Sequence, residues 1–172
     1  MEIADAVESD IPTITAIYND VIRTSTAVFN DAPVSVEDRI GWWRARAAQG
    51  YPVLVARGEK GILGFATFGD FRPWPGYRFT IEGTIHIDSA VRRTGVGAAL
   101  LQVLIARARD AGKHVMVAGV DSANVASLHF LERSGFERVG HLREVGHKFG
   151  RFLDLVFLQS MLEPSADAGE QS

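Results

Sequence analysis

Arg92-Arg93-Thr94-Gly95-Val96-Gly97-Ala98 lies between a strand-like run, Thr80 to Asp88, and a helix-like run, Gly95 to Ala111. Glycines at a strand-to-helix turn let backbone approach a ligand closely, since no Cβ intervenes. The first N–H groups of a helix have no acceptor within it, and with the helix dipole they attract anions, phosphate above all. Arg92 and Arg93 add two permanent positive charges at the same mouth. The stretch therefore reads as a pyrophosphate cradle, although a tight turn without a ligand has the same local pattern. Leu100 stands where a dinucleotide fingerprint needs its third glycine, and no lysine follows either glycine as a nucleoside-triphosphate loop requires. A second chemical cluster is the segment from Asp70 to Arg78, with two prolines, a glycine, aromatic side chains and arginines, a composition suited to binding. Arg72 could hold a carboxylate or phosphinate, because its fork matches two oxygens, or it could be a solvated loop arginine.

The elements that position these residues follow from periodicity. Ile3 to Val7 reads as a strand. Ser9 or Asp10 caps a helix bearing Ile11, Ile14, Ile17, Tyr18, Val21 and Ile22 at helical spacing. Ala27-Val28-Phe29 reads as a short strand. Ser35 with Asp38 resembles a capping box for a helix ended by Gly50. Val53 to Arg57 and Ile62 to Phe68 form a hairpin through Gly58 to Gly61. From Phe79 to Asp88 the residues alternate, with Ile81, Gly83, Ile85 and Ile87 on one face and Glu82, Thr84, His86 and Asp88 on the other. Gly83 in mid-strand suggests a bulge or a close approach. Val115 to Val120 is a buried strand. Asn124 caps a helix through Arg133, and Phe136 to Val145 and Phe152 to Met161 close the fold around a turn at Gly146 to Arg151. The order is α+β with a central βαβ crossover.

At 172 residues, 47% hydrophobic and 23% charged, the chain has the size and composition of one globular domain. We expect that domain to span residues 1–163 and Pro164 to Ser172 to be a disordered tail. A net charge of −3 gives no argument for nucleic acid or an anionic membrane surface. With no cysteine, disulfides, thiolate zinc sites and a thiol nucleophile are excluded. The histidines lack metal-ligand spacing, so no metal is expected. Asp5, Glu8 and Asp10 interrupt any apolar leader, and no run nears the roughly 20 residues that span a bilayer, so a cytoplasmic location is expected.

The order of strand, Arg-x-x-Gly-x-Gly loop, helix, strand and a helix from Asn124 ending in Ser134-Gly135-Phe136 resembles the GNAT superfamily of N-acetyltransferases. Five further blocks are similar to its phosphinothricin, methionine sulfoximine and methionine sulfone acetyltransferases. They are Ile17 to Asn19, Gly50 to Val55, Gly69 to Pro73, Lys113 to Gly119 and Val145 to Asp154. The resemblance implies the GNAT fold, a mostly antiparallel mixed sheet flanked by helices, with acetyl-CoA as donor, a small amino-acid-like acceptor and a homodimer. It implies that Arg92, Arg93, Thr94, Gly95, Val96, Gly97 and Ala98 hold the cofactor, that the backbone of Ile85, His86 and Ile87 receives the pantetheine arm, and that Asn124 adds a contact. It places Arg72, Pro73, Trp74, Glu82, Gly83 and Thr84 around the substrate.

An ammonium has no lone pair, so acetylation of an amine needs a proton acceptor. Glu82 stands where the resemblance places that base; on its residues alone it could equally be a surface glutamate on an edge strand. A backbone N–H near Ile87 would stabilise the oxyanion. Leu131 stands where many relatives have a tyrosine that protonates the departing thiolate, and His129 falls on another helix face. Without a cysteine, direct transfer in a ternary complex is expected. Phe29, Trp74, Tyr77 and Phe149 are candidate pocket walls, and His147, Lys148 and Arg151 either reach the site or solvate a turn. Relatives accepting methionine sulfone tend to have tryptophan at the positions of Phe29, Phe71 and Phe152, and histidine at that of Gly83. A peptide acetyltransferase and a non-catalytic acyl-CoA sensor are the competing readings.

Overall fold

The structure, a computed structural model, describes residues 1–163. The expected tail, 164–172, lies outside the described residues. Seven strands and four α-helices follow in the order β1 (Glu2–Asp5), α1 (Ile11–Thr24), α2 (Val36–Ala48), β2 (Val53–Gly58), β3 (Gly61–Asp70), β4 (Thr80–Ile87), α3 (Val96–Asp110), β5 (Val115–Asp121), α4 (Val125–Arg133), β6 (Glu137–Lys148) and β7 (Arg151–Met161). The sheet order is β1-β2-β3-β4-β5-β7-β6. Every neighbouring pair is antiparallel except β4 and β5, which are joined through α3 as a parallel pair requires.

Both faces of the sheet's centre are covered, and the two-residue period of β2 shows it. Leu54 and Ala56 join the core beneath α3, with Leu100, Leu104, Phe68 and Ile81. Val53 and Val55 join the core beneath α1, with Ile11, Ile14, Ile17 and Phe65. The face of β4 that carries Glu82, Thr84 and His86 is therefore turned towards helices, and β4 is fourth of seven strands. The surface edge-strand reading of Glu82 is excluded.

Two local expectations are corrected and a third, at Gly83, is narrowed to one of its alternatives. Ala27 to Phe29 forms no strand. The Ala27 N–H donates to Ser25 Oγ at 2.8 Å, and the Ser25 and Val28 carbonyls accept from Lys148, so little of the backbone is free for a ladder. The turn after β6 is Phe149-Gly150 rather than Gly146 to Arg151. Both residues have positive φ, 52° and 73°, as the tight two-residue hairpin requires, and β6 extends to Lys148 with bulges at Arg138/Gly140 and Leu142/Gly146. Gly83 makes no bulge, since the β3–β4 register is regular through it. It is a close approach instead: a Cβ there would lie 2.9 Å from Met116 Sδ.

Asp10 stands at the N-cap position of α1, but its carboxylate does not cap that helix. It accepts from the Val7 N–H at 2.8 Å and from both Arg57 terminal nitrogens at 2.8 and 2.6 Å, tying the start of α1 to β2. Burial pushes the Asp10 carboxyl up, but the bonds from Arg57 and Val7 outweigh it and hold the group below the usual carboxylate range. Its stabilising effect is therefore complete above the unfolded-state pKa and fades as pH falls through the lower folded-state value. Asp10→Ala should lose about 2 kcal/mol at pH 7, the scale of a charge-assisted hydrogen-bond cluster, and less in strong acid. Urea unfolding at both pH values checks this; an equal loss at both would contradict it.

Candidate active site

β4 and β5 pair at only three positions, Thr80–Val115, Ile81–Met116 and Glu82–Val117. Beyond them β4 follows β3 and β5 follows β7, so the two strands part. Into the wedge opens a cavity of about 330 Å³, lined from β4 by Glu82, Gly83, Thr84, Ile85 and His86, and from β5 by Met116 and the run 118–121. Asn124 and Ser127 of α4, Tyr18 of α1 and Ala27 and Val28 of the α1–α2 loop complete much of its wall.

The N-terminus of α3 follows β4. Gly95 caps it at φ +85°, a conformation that a side chain would strain. Ala99 N donates to Gly95 O at 3.1 Å, so the N–H groups of Val96, Gly97 and Ala98 precede the helical ladder and point outward. A Cβ on Gly97 would lie 3.6 Å from Phe130 and 3.9 Å from Ile87, ordinary contact distances. Arg92 and Arg93 are exposed beside this end, and the Thr94 hydroxyl donates to Val91 O at 2.6 Å. Asn124 caps α4, its Oδ1 accepting from Ser127 N at 3.2 Å.

Glu82 is half-buried. Burial raises its pKa, and the Arg72 guanidinium draws it back only in part. A Cβ on Gly119 would lie 3.5 Å from Glu82 Oε1, so glycine there leaves room around the carboxylate. His86 turns its ring away into the core, edge-on to Tyr18 at 5.6 Å and against Phe65 at 5.4 Å. Burial, with the Arg39 charge adding to it, holds the imidazole at a pKa of about 4, so the ring is neutral at pH 7. Of the loop residues, Arg72, Pro73 and Trp74 all stand exposed outside the cavity wall; the Arg72 guanidinium acts on Glu82 through its charge and lies 5.0 Å from the Phe71 ring. Phe29, Trp74, Tyr77 and Phe149 do not line the cavity either; Phe29 packs on Gly146 instead.

Residues 14–136, well over half of the chain, match the Acetyltransferase (GNAT) family. The chain belongs to that family. It is 48% identical to the L-methionine sulfoximine/L-methionine sulfone acetyltransferase of Pseudomonas paraeruginosa, over 96% of this chain and 97% of that one. A Brucella melitensis structure described as a ribosomal-protein-alanine N-acetyltransferase superposes at TM-score 0.93, with 41% identity, covering 94% of this chain and all of that one. A Sinorhizobium meliloti phosphinothricin acetyltransferase in complex with acetyl-CoA superposes at 0.91, with 31% identity, covering 99% and 92%. The fold is thus the GNAT fold, and the protein is an N-acetyltransferase.

In this acetyltransferase three residues within the matching sequence blocks, Asn19, Tyr51 and Lys113, brace the elements around the cavity without lining it. Asn19 fastens α1 to the segment before α2, its side chain exchanging two 2.9 Å bonds with the backbone of Val34. Tyr51 and Lys113 clamp the base of the loop that bears Arg72. The Tyr51 hydroxyl donates to Asp70 at one end, and Lys113 Nζ donates to Tyr51 Oη at 3.1 Å and to Arg78 O at 2.7 Å at the other. Burial and the Asp70 carboxylate push Tyr51 up to about 12, so it remains a donor. Leu131 is buried in the cavity wall and brings no hydroxyl; His129 is exposed on another helix face. Among the described residues no group of three or more His, Asp or Glu side chains is placed to hold a metal, and no helix is long and apolar enough to cross a membrane.

Proposed function

We propose that this enzyme is an acetyl-CoA-dependent N-acetyltransferase acting on the α-amine of a small amino-acid analogue of the phosphinothricin, methionine sulfoximine or methionine sulfone type. The observation that carries the reading is the wedge between β4 and β5, which has a helix N-terminus without a side-chain cap beside it and a half-buried carboxylate inside it. The residue assignments that follow are part of this proposal.

Val96, Gly97 and Ala98 N–H groups, with Arg92 and Arg93, hold the pyrophosphate. The edge of Ile85 to Ile87 facing the wedge receives the pantetheine arm, and Asn124 adds a contact from α4. Acetyl-CoA supplies the acyl group as a thioester. Arg72 pairs with the acceptor's acidic group, and Gly83 and Thr84 form the floor beneath it. Glu82 takes the ammonium proton, a task suited to a carboxyl whose pKa is raised above the ordinary value. The neutral nitrogen forms its bond to the carbonyl carbon as the C–S bond breaks, and a backbone N–H on the free edge of β4 stabilises the oxygen. Because Leu131 provides no proton, the second proton, which the nitrogen sheds as the amide forms, passes through water to the departing thiolate. Transfer is direct, in a ternary complex. Exposed Val139, Leu142 and Val145 on the terminal strand β6, with Phe152 on β7, support a homodimer, and the mass in solution is the test. The reading places the enzyme in the cytoplasm.

A peptide α-amine acceptor is the second reading, favoured by the Brucella melitensis structure. A thiol-release assay with acetyl-CoA against amino-acid analogues, ordinary amino acids and peptides separates the two; turnover on peptides alone would move the function to protein modification. Glu82→Gln should lower kcat about 100-fold or more while retaining acetyl-CoA affinity; binding without turnover in the wild type would make the protein a sensor.

The rate should rise with pH through the raised pKa of Glu82, since the base must be ionised. Arg72→Ala removes the charge that draws this pKa down, so its acid limb should move to higher pH and the acceptor KM should rise. A pH–rate profile with unchanged limb and KM would remove Arg72 from the site. Gly97→Val should fold normally yet bind acetyl-CoA about tenfold or more weakly by calorimetry, because the isopropyl group adds bulk in the first turn of α3, where the pyrophosphate is held. Undiminished affinity would contradict the cradle.

A further inference from the structure

Lys148 stands on β6 one residue before the tight turn, where a lysine would ordinarily reach solvent. It is instead 1% exposed, among the most buried side chains in the protein. Its Nζ donates to Ser25 O at 2.7 Å and to Val28 O at 2.8 Å, and lies 5.0 Å from the Phe149 ring. Burying an ammonium is costly unless its donors are used, and here two serve main-chain carbonyls more than a hundred residues away in sequence. Burial draws the Lys148 pKa down, with Asp31 opposing it.

The segment so held is the α1–α2 loop, whose Ala27 and Val28 line the same cavity as Glu82. It has no strand partner. Two further contacts fix it: the Thr26 hydroxyl donates to buried Asp121 at the end of β5, and the Phe29 ring packs on Gly146 of β6, where a Cβ would lie only 2.5 Å from the ring. The loop is thus tethered to β5 on one side and to the β6–β7 hairpin on the other.

We propose that Lys148 is a positioning residue of the acceptor pocket, holding the Ser25–Phe29 segment, whose Ala27 and Val28 line the cavity, against the wedge so that the cavity fits a small amine. The link to the acceptor rests on the functional reading above; the tether itself does not.

Lys148→Met keeps an unbranched side chain one atom shorter and removes its donors. Hydrogen exchange, measured on the protein without substrates, should quicken about tenfold or more in peptides covering residues 25–29 and stay unchanged in α3. The KM for the amine that the wild type turns over best should rise about tenfold, with kcat and acetyl-CoA affinity within twofold of wild type. Lys148→Arg, which keeps a cationic donor, should recover most of the loss, and Thr26→Val, which cuts the other tether, should raise KM to a smaller extent. Unchanged exchange in 25–29 overturns the tether. Faster exchange with unchanged KM overturns its role in the pocket. If Lys148→Met does not fold, the same two readouts on Thr26→Val and Lys148→Arg decide. The exchange arm stands whichever amine proves to be the acceptor, so failure of the amino-acid-analogue reading is distinguishable from failure of this one.

Discussion

The site exists because a parallel pair of strands stops pairing after three residues. β4 is held by β3 through seven successive positions and β5 by β7 through another seven, whereas β4 and β5 share only Thr80–Val115 to Glu82–Val117. Each strand is thus committed to its outer neighbour, and the right-handed twist of such a sheet carries the two apart. The crossover α3 spans the same gap, so its N-terminus necessarily lies beside the freed end of β4. One topological decision therefore supplies the backbone edge, the carboxylate and the helix end together.

Charge is distributed around that wedge according to whether water is kept out. Glu82 is the group whose burial is incompletely offset, and its raised pKa follows. His86, two residues on along the same face, is neutral because aromatic rings and the nearby Arg39 charge surround it. Two lysines are spent on backbone carbonyls rather than on carboxylates. Lys113 closes the base of the Arg72 loop, and Lys148 closes the loop after α1. Both loops lack regular structure of their own, so side chains from distant strands and turns give them their shape.

What could be read from the chain depended on how local its cause was. The glycine pair at the start of α3, the caps Ser35 and Asn124 and the crossover all declare themselves within a few residues, and each appears as expected. Ser35 makes only half of a capping box, accepting from Asp38 N at 3.0 Å. Ala27-Val28-Phe29 has β-forming composition, but its carbonyls are claimed by a lysine near the far end of the chain, which no local pattern reveals. Gly146 looks like a turn residue, yet it is a strand position kept small for Phe29, while the turn itself uses a phenylalanine at positive φ, an unfavoured choice. Around the cavity, Glu82 was legible by type and by the family resemblance, while Arg72, Pro73 and Trp74 all stand exposed on the loop outside its wall, Arg72 acting on Glu82 only through its charge. Gly119, Tyr51 and Lys113 sat inside the matching blocks without a stated task, because their roles are contacts across the sheet.

The glycine cap of α3 also bears on how the enzyme persists. Gly95 brings no side chain to the helix end, so the outward N–H groups there contribute less to the folded state than a capped end would. An anionic ligand that meets them adds its binding free energy to folding by mass action, about 2.7 kcal/mol at a hundredfold excess over Kd. For a fold of ordinary marginal stability that is a substantial share. Under the proposed reading that ligand is the acyl donor, so the lifetime of the protein would be tied to the donor's local supply, and a chain deprived of it would be correspondingly more open to proteolysis.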